Sequence, residues 1–97
     1  MSAGDPPAPV VRRRVVVRGR VQGVGFRASC ARRAIGAGVS GYVRNCADGS
    51  VEAVFEGHVP TVDALVAWCR EGPAWAQVTG LELSDEEPSG GRSFDVR

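Results

Sequence analysis

The sequence contains no lysine: all 12 of its basic residues are arginine. Eleven acidic residues oppose them and the formal net charge is +1, so no global field draws the chain toward nucleic acid or an acidic membrane. Codon bias is enough to account for the missing lysine. There is one histidine, His58, and one asparagine, Asn45. Three cysteines, Cys30, Cys46 and Cys69, form no CxxC pair, so the usual zinc ligand sets are out of reach. An odd number of cysteines and no apolar signal core favour free thiols in a reducing compartment, and a cytoplasmic location is expected. No apolar run approaches the roughly 20 residues of a membrane helix, so no membrane partner is expected. The stretch Met1 to Pro9 is rich in proline and small residues. Residues 1–10 are expected to be a disordered leader, and residues 11–97 a single domain.

With 97 residues, 43% of them apolar, the domain can bury a core without disulfides or a structural metal. The β-branched run Val15-Val16-Val17 marks a first strand within 12–18. Phe26, Cys30, Ala34 and Ile35 recur at helical spacing up to Gly36. Residues 39–45 alternate in polarity, Asp48-Gly49 supplies a hairpin turn, and residues 50–56 alternate again, which predicts an antiparallel pair. Pro60 opens a second helix running to Arg70, with Val62, Leu65, Val66 and Cys69 as its apolar stripe. A strand over 78–84 with Leu81 and Leu83 on one face follows, then a flexible turn over Pro88 to Arg92 and a short strand holding Phe94 and Val96.

This β-α-β-β-α-β order predicts an α+β fold of the ferredoxin-like split βαβ type. It has an antiparallel sheet, two helices on one face and a short extra C-terminal strand. In that topology the third strand lies between the first and second, which run parallel. The end of the first strand, the start of the first helix and the end of the second strand therefore share one rim, where residues 19–25, Arg27 and Asn45 converge.

The segment Gly19-Arg20-Val21-Gln22-Gly23-Val24-Gly25-Phe26-Arg27 joins a strand to a helix. Its glycines allow successive N–H groups to turn inward as a nest for an anion. The helix N-terminus adds unpaired N–H groups and a favourable dipole. Arg27 in the first turn offers a planar fork that matches phosphate or carboxylate oxygens. The spacing is neither GxGxxG nor a Walker loop, so nucleotide binding is not indicated. On the residues alone, a glycine-rich turn with a solvent-exposed arginine fits equally well. Asn45 alone fits a polar strand end.

The nine residues Gly19 to Arg27 resemble the first signature of the acylphosphatase family. Gly41-Tyr42-Val43-Arg44-Asn45, followed by Asp48-Gly49-Ser50-Val51-Glu52, resembles the second. The resemblance extends from Val11 to the terminal Phe94-Asp95-Val96-Arg97. It implies a phosphate loop of backbone amides from Gln22, Gly23, Val24, Gly25 and Phe26, an anion-binding arginine at Arg27 and a water-positioning asparagine at Asn45. It further implies a metal-independent hydrolase without cofactor, acting on a small acyl phosphate as a monomer. Cys46-Ala47 and Gln77 depart from the family pattern without touching that chemistry.

Two other functions are weighed against this one. A similar signature opens large hydrogenase-maturation proteins, which suggests a carbamoyl-phosphate-handling or phosphate-binding docking module; ending at Arg97 without a linker or zinc segment, the chain is expected to be a free-standing enzyme. Arg12-Arg13-Arg14 suggests an RNA-binding ferredoxin-like domain, but the third strand offers Phe55 between two glutamates, a poor platform for stacked bases. No nucleic-acid partner is expected. Trp68 and Trp75 read as core or edge packing, His58 as remote from the site, and Asp85-Glu86-Glu87 as a solvated loop.

Overall fold

A computed structural model describes residues 9–97. The expected leader falls almost entirely outside them, but Val10 already belongs to the first strand. The elements are β1 (Val10–Arg20), α1 (Phe26–Gly36), β2 (Ser40–Asn45), β3 (Val51–His58), α2 (Val59–Glu71), β4 (Gln77–Glu86) and β5 (Phe94–Val96). They form one sheet of order β4-β1-β3-β2-β5. β3 pairs antiparallel with both β1 and β2, β4 pairs antiparallel with β1, and the added strand β5 pairs parallel with β2. This is the expected α+β split βαβ arrangement.

Both helices pack on one face of the sheet. Val15, Val17, Val43, Val51, Ala53 and Phe55 rise from the strands to meet Phe26, Cys30, Ala34, Val62, Leu65, Val66 and Cys69. In α1 the buried residues step by four through Phe26, Cys30 and Ala34, with Ala31 on the flank. Ile35 lies a further 100° around the helix and is 62% exposed, so it is not part of the core face. The stripe of α2 is the one its spacing predicts. His58 caps this helix, with Val10 as its strand partner. That is the end of β3 opposite Val51, the partner of Asn45. Cys30 and Cys69 are buried and free; the neighbouring Cys30 thiol and burial push the Cys69 thiol well up, and it acts as a small apolar group. Among the described residues no helix is long and apolar enough to cross a membrane.

The helix-free face of β3 is also covered, by charge. Glu52 and Glu56 are almost fully buried. Glu52 accepts from Arg44 Nε at 2.6 Å, from Tyr42 Oη at 3.1 Å and from Arg14 Nε. Glu56 accepts from Arg12 Nη1 at 3.1 Å and from the amides of Ser89 and Gly90 at 2.7 and 2.8 Å. These contacts correct two expectations. The segment around Pro88 to Arg92 is not a free turn, because Glu56 holds its backbone. Asp85 and Glu86 are not loop residues but end β4, where they meet Arg13 at 3.3 Å and Arg12 at 3.0 Å; cross-strand pairing of opposite charges extends the strand. Arg13 also contacts Asp63 of α2. At the β4 edge Leu83 remains 45% exposed, whereas Leu81 packs on the core. Trp68 tilts against Phe26 with centroids 5.1 Å apart, under the Arg33 guanidinium, but Trp75 is 81% exposed and contributes no core packing.

Burial alone would raise the Glu52 and Glu56 carboxyls. For Glu52 the arginines and Tyr42 outweigh that, and for Glu56 the Ser89 and Gly90 amides and Arg12 do, so both lie below the usual value of 4.5. A depressed carboxylate stabilises the fold fully above its unfolded value, and that stability is lost as pH falls through the folded value. The unfolding midpoint should therefore fall as pH drops below 4.5, and Glu52→Gln should flatten that dependence in a thermal titration. Glu56→Ala leaves the Ser89 and Gly90 amides without their acceptor and Arg12 with Glu86 as its remaining carboxylate, and should cost about 3 kcal/mol in urea unfolding. It should also open the chain between Glu87 and Ser93 to limited proteolysis; unchanged resistance there would contradict the clamp.

Candidate active site

The rim predicted from topology exists. Gly19 has φ 121°, and a Cβ there would lie 2.1 Å from the Gln77 carbonyl oxygen, so the β1–β4 pairing requires glycine at this point. Val21 and Phe26 are 1% and 2% exposed and anchor the two ends of the following loop in the core. Between them Gly23 and Gly25 have φ of 74° and 77°, while no described non-glycine residue has positive φ. The sign of φ therefore alternates from Gln22 to Phe26, the pattern that turns successive N–H groups toward one point. A Cβ at Gly23 or Gly25 would meet nothing within 4 Å. These two positions need glycine for backbone direction rather than for space.

Gly25 caps α1 in the left-handed conformation, without a side-chain cap and with no acidic residue in the first turn. The amides at this helix end thus have no side-chain acceptor of their own. A cleft of about 300 Å³ opens in front of them, lined by Val21, Gly23, Gly25, Phe26, Arg27, Ala28, Asn45 and Val96. Arg27 and Asn45 supply its polar side chains; among the described residues no carboxylic-acid, imidazole or thiol side chain is in the lining. Among the described residues there is no group of three His, Cys, Asp or Glu side chains able to hold a metal ion.

Arg27 is half-buried and its Nη1 donates to the main-chain oxygen of Arg97 at 3.0 Å, which occupies one of its five N–H donors. The Arg97 amide in turn bonds the Val43 carbonyl at 2.8 Å, so the end of β5 and the end of β2 together seat the guanidinium. Asn45 is the last residue of β2. The turn after it is closed by Cys46 N to Ser50 O at 2.8 Å and Gly49 N to Cys46 O at 3.1 Å. Asp48 braces that turn, accepting from the Ser50 hydroxyl at 2.6 Å, the Ser50 amide at 3.0 Å and Arg18 at 3.1 Å. Those donors, the Ser50 pair first, hold the Asp48 carboxyl down at about 2.

Of the residues singled out in the sequence, Gly23, Gly25, Phe26, Arg27 and Asn45 line the cleft together. The side chains of Gln22 and Val24 turn away from it. Val24 packs against the core, and the Gln22 side chain bonds to the 46–50 turn. Val96 and Arg97 were missed as site residues. The short terminal strand was the available signal, but its parallel pairing beside β2 was needed to bring them to Arg27.

The acylphosphatase family profile matches residues 13–96. An acylphosphatase from Rubrobacter xylanophilus is 60% identical over 87 residues, covering 89% of this chain and 79% of that protein. The crystal structure of an acylphosphatase from Bacillus subtilis superposes with a TM-score of 0.86 at 31% identity, covering 90% of this chain and 98% of the other. Full-length HypF, in a phosphate- and nucleotide-bound form, shares the fold with a TM-score of 0.87 at 23% identity, covering 97% of this chain but 12% of that one. A cleft of backbone amides, one arginine and one asparagine on a split βαβ frame thus coincides with sequence identity over most of the chain, and the chain belongs to the acylphosphatase family.

Proposed function

We propose that the loop amides from Gln22 to Phe26 and the Arg27 guanidinium bind the phosphoryl oxygens of an acyl phosphate, and that Asn45 orients the attacking water. The activity is that of an acylphosphatase. Water attacks phosphorus in line, the bond from phosphorus to the acyl oxygen breaks, and the carboxylate departs with its electron pair. A water proton passes to a phosphoryl oxygen, giving inorganic phosphate and a carboxylate.

The observation carrying this reading is the composition of the cleft lining, with one guanidinium and one carboxamide beside the left-handed glycines. A lining without an acid to protonate a leaving group suits a substrate whose leaving group needs no proton. A carboxylate leaves in that way; an alkoxide from a phosphate monoester does not. What remains for the protein is positioning and charge stabilisation, which a preorganised nest and guanidinium supply.

The same reading makes the chain a cytoplasmic enzyme that works as a monomer, without metal or nucleic acid. Its free thiols suit a reducing compartment. Arg12, Arg13 and Arg14, the residues that suggested RNA, are held in ion pairs with Glu56, Glu86, Asp63, Asp85 and Glu52. Tyr42, the aromatic of β2, lies beneath the Arg97 guanidinium at 3.9 Å.

Phosphate release from acetyl phosphate, measured with EDTA present, tests the proposal. Wild type should turn over, and Arg27→Ala should be slower by about 10²-fold or more. Arg27→Lys should rescue poorly, because an ammonium cannot make the bidentate contact; near-normal turnover by that variant would remove Arg27 from the transition state. Asn45→Ala should lower kcat while leaving inhibition by inorganic phosphate intact. Parallel loss of both would make Asn45 a phosphate ligand instead.

A further inference from the structure

Gln22 belongs to the loop by its backbone, but its side chain leaves it. Its Nε2 donates to the Cys46 carbonyl at 2.8 Å and to the Ser50 carbonyl at 2.9 Å. A primary amide nitrogen carries two protons and no usable acceptor. Two carbonyl partners therefore fix which way round this carboxamide lies. The two carbonyls belong to the facing pair Cys46 and Ser50, one step beyond Asn45 at the turn end of the hairpin. Cys46 follows Asn45 directly, and Ser50 precedes Val51, the cross-strand partner of Asn45. Both oxygens already accept a backbone amide that closes the turn, so the Gln22 protons fill their second lone pairs. Among the described residues, the backbone hydrogen bonds outside helices and strands include none between 21–25 and 46–50. The Gln22 side chain bridges the loop to this turn with two hydrogen bonds.

We propose that Gln22 is a positioning residue, whose side chain sets the placement of Asn45 relative to the phosphate loop and so controls water attack rather than phosphate binding. The inference rests on the water-placing role of Asn45. Residue 22 then serves twice. Its backbone amide contributes to the anion nest whatever the side chain, and its carboxamide holds the turn that carries Asn45. Only the second task depends on residue type. Glutamate would set carboxylate oxygens against two carbonyl oxygens. Asparagine withdraws the nitrogen by one methylene, about 1.5 Å. Methionine keeps the length of the side chain and loses both donors.

The test compares wild type, Gln22→Met, Gln22→Asn, Asn45→Ala and the Gln22→Met/Asn45→Ala double variant. Each is assayed for acetyl phosphate turnover, inhibition by inorganic phosphate and thermal unfolding. Gln22→Met and Gln22→Asn should each lose about tenfold in kcat, the scale of effect a small misplacement produces, with phosphate inhibition unchanged. On the Asn45→Ala background Gln22→Met should cost nothing further, because its effect passes through the missing side chain. A purely structural role would instead reduce turnover by the same factor in both backgrounds, and that result would overturn the inference. So would parallel weakening of phosphate inhibition, which would assign Gln22 to the shape of the nest. A slow Asn45→Ala beside a Gln22→Met of wild-type kcat sinks the inference alone. A fast Asn45→Ala removes the water-placing role and this inference with it. Gln22→Asn, which keeps a carboxamide, carries the test should Gln22→Met fail to fold.

Discussion

Strand β3 bonds to β1 on one side and to β2 on the other, and both of its faces are covered. Because each pairing is antiparallel, β1 and β2 run the same way and their ends leave the sheet at one rim. Everything in the cleft follows from that. The loop after β1 and the asparagine at the end of β2 are neighbours because a third strand, later in sequence, separates them by one position in the sheet. Without β3 in the middle, Arg27 and Asn45 would have no reason to meet.

The two faces of β3 are covered by opposite means. On the helix side Val51, Ala53 and Phe55 are removed from water by two amphipathic helices, the ordinary hydrophobic route. On the other side Glu52 and Glu56 are buried beside Val16 and Val54 and are held by arginine ion pairs and hydrogen bonds. Burying a carboxylate is unfavourable unless its lone pairs are filled, and here arginines, a tyrosine and two backbone amides fill them. Long arginine side chains suit this task, because an apolar stem can cover apolar surface while a fixed fork at its tip meets a carboxylate. The same network gives the chain between β4 and β5 a defined path, which leads β5 to its place beside β2.

The cleft is correspondingly a meeting of three segments far apart in sequence. The loop contributes backbone, β2 contributes one carboxamide, and the terminal strand contributes the oxygen that seats the arginine. Side-chain bonds spanning 24, 28 and 70 residues hold these pieces in relation. The rigidity such a site needs comes from these long-range bonds and from the buried anchors Val21 and Phe26, not from any one element.

Much of this was legible in the residues themselves. Periodicity located both helices and every strand, the order of elements implied the sheet, and the sheet implied the rim. Gly23 and Gly25 already announced a backbone that only glycine adopts easily, and Arg27 and Asn45 stood in positions that the topology brings together. These features are local, since a turn, a helix face or a strand alternation is dictated by a few neighbouring residues. Tertiary structure decided what depends on partners from elsewhere in the chain. It turned an acidic run into a strand end opposite arginines, fastened an apparently free turn to a buried glutamate, left Ile35 and Trp75 in water, and sent the Gln22 side chain to the hairpin instead of the cleft. The reason is physical: a side chain's hydrogen bonds and burial are set by what lies across from it in space, and no spacing within one segment encodes that.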